Sequence, residues 1–367
     1  MPASVRRSRS RPLHAAVVLL LGVALALVAA PASGEQADDI APQADPAQQQ
    51  LPDTFQWSSG GPLISPAPNL NSVAAKDPSV VQDDDGTWHV FFTRVDTSGD
   101  WGLAHTSFTD WSQAASAPQT DLEAASAIGP GYRAAPHAFY FAPHDEWYLV
   151  YQTGLPSFST TTDPNDPTSW SAPRNFMDSV PEVVRQNIGN GNWLDFFVIC
   201  DDTMCYLFSA DDNGHVYRSE TTMADFPNGF DNTQIVLEDG AYDLFEGGAV
   251  YRVGDTDTYL LIWEAIGPDG RRWYRAFTAQ GLTGQWTPLA DTQQNPFASR
   301  NNVTFESGTW TQDISHGELV RATNDQTMTI DPCDLRLLYQ GIDPSAGGEY
   351  SQLPWRLGLA TSTTNSC

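Results

Sequence analysis

The sequence predicts an all-β fold, a five-bladed β-propeller forming a single catalytic domain, and three observations predict it. Helical periodicity is scarce. A unit made of a short β run, a turn and a second β run recurs five times. Each unit opens on an ionisable residue followed by apolar ones: Asp77, His137, Asp195, Glu246 and His316, spaced 60, 58, 51 and 70 residues apart. Strands at such a period without helices fit propeller blades, which stack in a ring because one blade cannot bury both its faces alone. A two-sheet sandwich explains the strands but not the repeated polar heads. In a propeller the first strand of each blade lies nearest the axis, so all five heads are expected at one end of the central channel.

The units follow in order. Asp77-Pro78-Ser79-Val80-Val81 turns at Asp83-Asp84-Asp85-Gly86 into Trp88–Phe92. His137–Phe141 turns at Pro143-His144-Asp145 into Trp147–Tyr151. Asp195–Ile199 turns at Asp201-Asp202 into Cys205–Phe208. Glu246–Tyr251 turns at Gly254-Asp255 into Tyr259–Trp263. His316–Val320 turns at Asn324-Asp325 into Met328-Thr329-Ile330, with Leu337-Leu338-Tyr339 after it. The runs are rich in β-branched and aromatic residues, and the turns in Asp, Asn, Gly and Pro.

Upstream of the repeats, Arg6, Arg7, Arg9 and Arg11 precede an apolar run from Ala15 to Ala30 and the small-residue exit Ala30-Pro31-Ala32. Residues 1–32 are therefore expected to be a secretory signal peptide, since the run is shorter than the roughly 20 residues a spanning helix needs. A secreted, extracellular protein follows. Residues 33–50, rich in Ala, Asp, Pro and Gln without an aromatic, read as a flexible leader. Residues 51–367 read as the propeller. The 367-residue chain is 41% apolar, enough for a large core, and its formal charge is −27. Removing residues 1–32 takes away four arginines and no acidic group, which leaves −31. Such a charge repels nucleic-acid phosphates and anionic lipid and sets no penalty on a neutral ligand. Neither nucleic acid nor membrane is expected as a partner, and nothing argues for more than a monomer.

Cys200, Cys205, Cys333 and Cys367 form an even set, and disulfides are the default for a secreted chain. Four cysteines allow three pairings. A hairpin at Asp201–Met204 brings Cys200 to Cys205, which makes Cys200–Cys205 with Cys333–Cys367 the first choice. The cysteines do not come in two close pairs with a matching His, so zinc is not indicated.

Asp83, Asp84, Asp85, Asp211 and Asp212 sit in turns and read as solvated surface. Asp77, Asp195 and Glu246 differ, because each heads an apolar strand where an unpaired charge is costly. Carboxylates converging on a cleft for a neutral ligand are what glycosidic hydrolysis needs: one protonated to serve the leaving oxygen, one ionised to activate water, a third to raise the acid's pKa. Glu246, with the longer arm, suits the acid, Asp77 the base and Asp195 the modulator. Lys76, the only lysine in the sequence, adjoins Asp77. It is either a surface residue or a buried cation that holds Asp77 ionised and reaches a sugar hydroxyl. Neighbours on a regular strand point to opposite faces, so only an irregular strand end aims both inward. His316 suits a core histidine or a ligand to an axial cation, for which oxygen-rich surroundings favour calcium. Tyr132, Trp193, Trp273 and Tyr339 are candidate sugar-stacking surfaces, and Arg133, Asn301 and Asn302 candidate polar contacts.

These stretches resemble the secreted α-L-arabinofuranosidases of glycoside hydrolase family 62. The resemblance runs over about residues 51–359 through Phe55-Gln56-Trp57-Ser58, Lys76-Asp77-Pro78-Ser79, Gly131–Pro136, Asp195–Asp201, Asn213–Ser219, Phe245-Glu246, Asp313–Glu318 and Leu353–Gly358. It implies the five-bladed propeller again and removal of L-arabinofuranose side chains from arabinoxylan, and to some extent arabinan, with inversion. It implies Asp77 as base, Glu246 as acid and Asp195 as pKa-setting residue. It also implies a structural calcium ion in the central channel held partly by His316, and no organic cofactor. A secreted bacterial enzyme acting on plant cell-wall polysaccharide is the expectation. The chain departs from the family pattern at His137, where Gln is usual, at Gly247, where Ala is common, and at Phe196-Phe197; Cys367 stands in for an N-terminal cysteine that many relatives carry. The rival readings are another propeller glycosidase, such as a β-xylosidase or an arabinanase, and a non-catalytic carbohydrate-binding propeller.

Overall fold

The computed structural model describes residues 50–364 and 367; the expected signal peptide and all but the last residue of the expected leader lie outside them. After a short first strand, β1 (Trp57–Ser59), the chain lays down four strands of blade I, β2 (Ser72–Gln82), β3 (Trp88–Asp96), β4 (Trp101–Phe108) and β5 (Gln119–Asp121). Blade II holds β6 (Ala134–Phe141), β7 (Glu146–Gln152), β8 (Pro156–Thr161) and β9 (Arg174–Asn175). Blade III holds β10 (Leu194–Cys200), β11 (Met204–Ala210), β12 (His215–Thr222) and β13 (Asp231–Glu238). Blade IV is β14 (Ala249–Val253), β15 (Thr258–Ile266), β16 (Arg272–Gln280) and β17 (Thr287–Thr292), extended at its rim by β18 (Asn295–Pro296). The remaining strands are β19 (Val303–Phe305), β20 (Ser315–Leu319), β21 (Thr329–Ile330), β22 (Arg336–Gly341) and β23 (Arg356–Ser362).

Blade V closes the ring. Its order is β19-β1-β23-β22-β20, so β1 enters a sheet otherwise built from the last part of the fold. β1 runs antiparallel to β23 and parallel to β19. Trp57 locks it there: the ring is buried against Phe55 and Phe297, and Nε1 donates to the Phe297 carbonyl at 2.6 Å. In the fifth repeat the second strand is β22, which pairs with β20. The segment expected to fill that place, Met328–Ile330, instead lays β21 parallel to β14 of blade IV. A two-residue strand after a turn is too short to fix its partner by pattern, and the neighbouring blade offered the free edge.

The first strands gather around the axis, β2 touching β6 and β20, and β10 touching β6 and β14. They are buried on both faces, which is why they read as unbroken apolar runs such as Phe196-Phe197-Val198-Ile199. Between blades II and III an aromatic cluster of Phe139, Phe141, Tyr148, Phe158, Phe176 and Phe226 fills the wedge. The disulfides are Cys200–Cys205, across the β10–β11 hairpin, and Cys333–Cys367, the pairing the spacing suggested.

Candidate active site

The axial strands share one irregularity. Register shifts interrupt β2 between Lys76 and Ser79, β6 between Ala134 and His137, β10 between Leu194 and Phe197, and β20 between Ser315 and Gly317. At these bulges Asp77, Ala135 and Asp195 take left-handed φ values of 48°, 49° and 55°, and Gly247, just before β14, takes 63°. A bulge bends a strand and re-aims its side chains. The bulge residues are the true equivalents of one another, and His137 lies two positions deeper than Asp77 and Asp195. It therefore belongs to a second axial layer with Ser79, Phe197, Ala249 and Glu318, and not to the ring of polar heads. The other heads do meet at one end of the channel.

The bulge answers how adjacent Lys76 and Asp77 both turn inward. Asp77 is buried, its backbone N–H donates to Gln340 Oε1 at 2.9 Å, and its Oδ1 lies 3.8 Å from Lys76 Nζ and 3.3 Å from His316 Nδ1. Lys76 is buried as well, its ammonium 4.1 Å from the centre of the Trp101 ring and 4.7 Å from that of Tyr350, donating to the Tyr350 hydroxyl at 3.1 Å. Burial alone lowers the lysine's pKa; Asp77 and Tyr350 outweigh it and hold the ammonium above its usual value.

Asp195 is set the same way. Its N–H donates to Gln152 Oε1 at 3.0 Å, and its Oδ2 accepts from the Gly247 N–H at 2.8 Å and faces His316 Nδ1 at 3.7 Å. Burial pushes its carboxyl up to about 7; His316 opposes, Glu246 and Asp77 push it further, and the Gly247 N–H favours the ionised form. Burial would also discharge His316, but Asp195, Asp77, Glu264 and Glu246 together raise it above the usual imidazole range.

Glu246 sits just ahead of β14, with Oε1 accepting from Arg272 Nη1 at 2.5 Å. The same guanidinium binds the buried Glu264, whose Oε2 accepts from the Ser315 hydroxyl and the His316 N–H. Arg272 and Glu264 thus brace the carboxylate and the strand that carries His316. Neither was anticipated: β15 and β16 lie one and two strands out from the axial β14, and nothing in the local sequence marks them. Asp212 was read as solvated surface, yet its carboxyl is pushed up to about 8, by burial first and then by the Glu246 charge. Asp211 is likewise fully buried, accepting from His215 Nδ1 at 2.7 Å and the Tyr217 hydroxyl at 2.8 Å.

Of the candidate contact residues, Tyr132 comes to the mouth: its ring is half-exposed beside Trp101, and its hydroxyl accepts from Gln152 Nε2, the side chain that also holds Asp195. Arg133 is half-buried, donates to the Tyr132 carbonyl at 2.8 Å, and its charge bears on Glu123 and Tyr151. Asn302 is not brought to the cluster. It is buried, its amide donating to the carbonyls of Phe55, Pro296 and Phe297 and accepting from the Ser299 N–H, so it pins the closing strand. Tyr339 is not available either, being fully buried in blade V against Trp310 with its hydroxyl on Ser59 Oγ. Trp193 is buried and donates to Ser209. Trp273 and Asn301 line a small pocket of about 60 Å³ beside Arg272. The aromatic that does face the carboxylates was missed: Tyr350, 43% exposed and stacked on Trp101. A groove of about 780 Å³ at the rim of blades II and III holds none of the converging carboxylates.

Beneath the heads lies an axial cavity of about 20 Å³, lined among others by His137, Asp195, His316 and Glu318, with room for one small occupant. His137 Nε2 meets the Val198 carbonyl at 3.0 Å; a carbonyl only accepts, so Nε2 carries the hydrogen, and burial keeps the ring neutral. Nδ1 is then a lone pair. It has no hydrogen-bond partner and faces Glu318 Oε1 across 3.9 Å, and that oxygen is ion-paired with Arg321 Nε at 3.2 Å. The His137 Nδ1 lone pair is the buried acceptor that a cation or a donor would satisfy. Among the described residues no three His, Cys, Asp or Glu side chains gather as a complete metal cage.

Comparison with known proteins agrees with this geometry. The sequence profile of glycosyl hydrolase family 62 matches residues 56–361. α-L-Arabinofuranosidase C of Cellvibrio japonicus is 44% identical over 314 residues, which are 84% of this chain and 47% of that longer protein, so the chain spans about half the length of this relative. The catalytic domain of a family 62 α-L-arabinofuranosidase from Coprinopsis cinerea superposes with a TM-score of 0.84 at 52% identity, covering 86% of this chain and 100% of that one. A family 62 hydrolase solved with xylotriose superposes with a TM-score of 0.81 at 46% identity, covering 84% of this chain and 98% of that one.

Proposed function

The chain belongs to glycosyl hydrolase family 62, and from that premise we propose that it is an inverting α-L-arabinofuranosidase releasing non-reducing-end L-arabinofuranosyl side chains from arabinoxylan and related plant cell-wall polysaccharides. The observation that carries the reading is the convergence of Asp77, Asp195 and Glu246 at one end of the channel, between the cations Lys76 and Arg272. A relative solved with xylotriose supports a xylan main chain across this mouth. Asp77, with the Lys76 ammonium 3.8 Å away, takes a proton from the water that attacks the anomeric carbon. Glu246 donates a proton to the departing xylosyl oxygen. Asp195, with its raised carboxyl, orients His316 and keeps the field around the acid negative. Inversion requires the acid and base carboxyls about 6.5–9.5 Å apart to admit the water. Tyr350 and Tyr132 offer their exposed faces to the polymer. The features of residues 1–32 support an enzyme acting outside the cell, where its polymer is, and we read it as a monomer.

The same reading gives the axial cavity a calcium ion, for which His137 Nδ1, Glu318 Oε1 and the neutral form of His316 would be the donors. Bound there, the ion would join β6 to β20 and would supply positive charge beneath the carboxylates. Prolonged chelation should lower the melting temperature, and added calcium should restore it.

Proton NMR during digestion of arabinoxylan tests the main reading. The expected result is early β-L-arabinofuranose over an intact xylan, and none from an Asp77→Asn variant. An initial α-anomer would overturn inversion; xylose or a shortened main chain would point to another propeller glycosidase; binding without any release would point to a non-catalytic carbohydrate-binding propeller.

A further inference from the structure

We propose that Ser315 is a positioning residue that fixes the gap between the base and the acid, holding Asp77 through Gln340 and Glu246 through Glu264 and Arg272; this rests on Asp77 and Glu246 having the roles given above. The two carboxylates stand on different blades. Asp77 is on β2 of blade I and Glu246 leads into β14 of blade IV, so blade V lies between them. Their separation is set across two seams, where β2 packs on β20 and β22, and β16 packs on β20. Apolar packing is not directional and leaves such seams some slide. Hydrogen bonds fix angles as well as distances.

One unbroken chain of hydrogen bonds spans both seams. The Asp77 N–H donates to Gln340 Oε1 at 2.9 Å. Gln340 Nε2 donates to Ser315 Oγ at 2.9 Å, and Ser315 Oγ donates to Glu264 Oε2 at 2.8 Å. Arg272 Nη1 then ties the other oxygen of that carboxylate, Glu264 Oε1, to Glu246 Oε1. Ser315 and Gln340 meet because they are directly opposed on β20 and β22, at the bulge in β20. The chain has one sense. A backbone N–H only donates, so Gln340 turns its oxygen to Asp77 and its Nε2 must donate onward. The Ser315 oxygen takes that bond, which leaves the hydroxyl hydrogen for Glu264. Ser315, Gln340 and Glu264 are all buried, so a lost link leaves a polar group unpaired away from water. The main chain runs beside them: the Glu264 N–H donates to the Glu246 carbonyl at 3.1 Å, and the Phe245 N–H to the Glu264 carbonyl at 2.8 Å. Glu264 is thus bound to the acid by backbone and side chain alike, and Ser315 is the link that joins this unit to the base.

Ser315→Ala cuts the chain in the middle while leaving Asp77, Gln340, Glu264 and Glu246 in place. With calcium in excess, kcat on arabinoxylan should fall about tenfold while KM stays within about twofold, because misplaced reacting groups slow the chemical step without weakening polymer binding. On 4-nitrophenyl α-L-arabinofuranoside, whose leaving group needs little help from the acid, the fall should be several-fold smaller. Gln340→Met cuts the adjoining link, and the double variant should lose no more than the worse single one, since the chain is already broken. Should Ser315→Ala not fold, Gln340→Met alone gives the same comparison of kcat with KM and of the two substrates. Equal losses on both substrates, a raised KM at unchanged kcat, or losses that multiply in the double variant would overturn the proposal. Glu246→Gln tells its failure from that of the reading beneath it. If that variant loses no more on the polymer than on the aryl glycoside, the acid assignment fails and the role of Ser315 falls with it. If it does lose more while Ser315→Ala keeps its kcat, the acid stands and only the positioning role is lost.

Discussion

Gly247 stands where a Cβ would lie 3.2 Å from His316 Cγ and 3.3 Å from its Cα, at a φ of +63° that L side chains rarely adopt. Gly247→Ala should therefore cost about 1–2 kcal/mol in urea unfolding and, because the Gly247 N–H is a donor to Asp195, should also lower kcat. Asp77→Asn should remove nearly all turnover while leaving the circular dichroism spectrum unchanged, since the amide fits the same space. The three carboxylates were legible as candidates because each heads an apolar run, where an unpaired charge is costly. Lys76 was legible as a lone lysine, although its inward aim rested on a bulge that no residue pattern announced. Asp212 was not legible. An Asp-Asp-Asn-Gly turn has the composition of solvent-exposed surface, and only the fold shows what it faces. Asn302 failed the other way, because an amide in a loop near the heads looks free until its three carbonyl partners are seen.

At the scale of elements, β1 contributes three residues and a disproportionate share of the closure. Trp57→Ala removes a fully buried indole and its hydrogen bond to Phe297, and should cost about 3–5 kcal/mol by chemical denaturation. The axial strands were easy to find, because burial on both faces leaves an unbroken apolar signal. Their registers were not. His137 looked equivalent to Asp77 and Asp195 when Ala135 is, since an extra residue at each bulge shifts the count without changing composition. The fifth blade was the hardest to read, because its strands come from both ends of the domain and β21 crosses to blade IV.

For the molecule as a whole, titration sets the working range. Burial pushes Asp195 and Glu123 up to about 7 and Asp212 up to about 8, so the native state holds protons that the unfolded chain has released. Stability from these groups falls as pH rises toward 8. The raised His316 acts in the same direction, its contribution being lost as pH climbs through its folded pKa. His89, His105 and His137, held neutral first of all by burial, cost stability only as pH drops below the free-imidazole range near 6.5. Melting temperature should accordingly decline from about pH 6.5 to pH 9 in a calorimetric series. Added salt should lessen the decline by screening a surface so rich in carboxylates. The shared sheet of blade V carries one more implication. Because β1 and β23 are neighbours in space and some 300 residues apart along the chain, β23 must be synthesised before the circle can be sealed, and early blades wait with bare flanks. Cutting the ring at another blade boundary and splicing its two ends would move that seam, and the resulting permutant should fold at a different rate into the same enzyme.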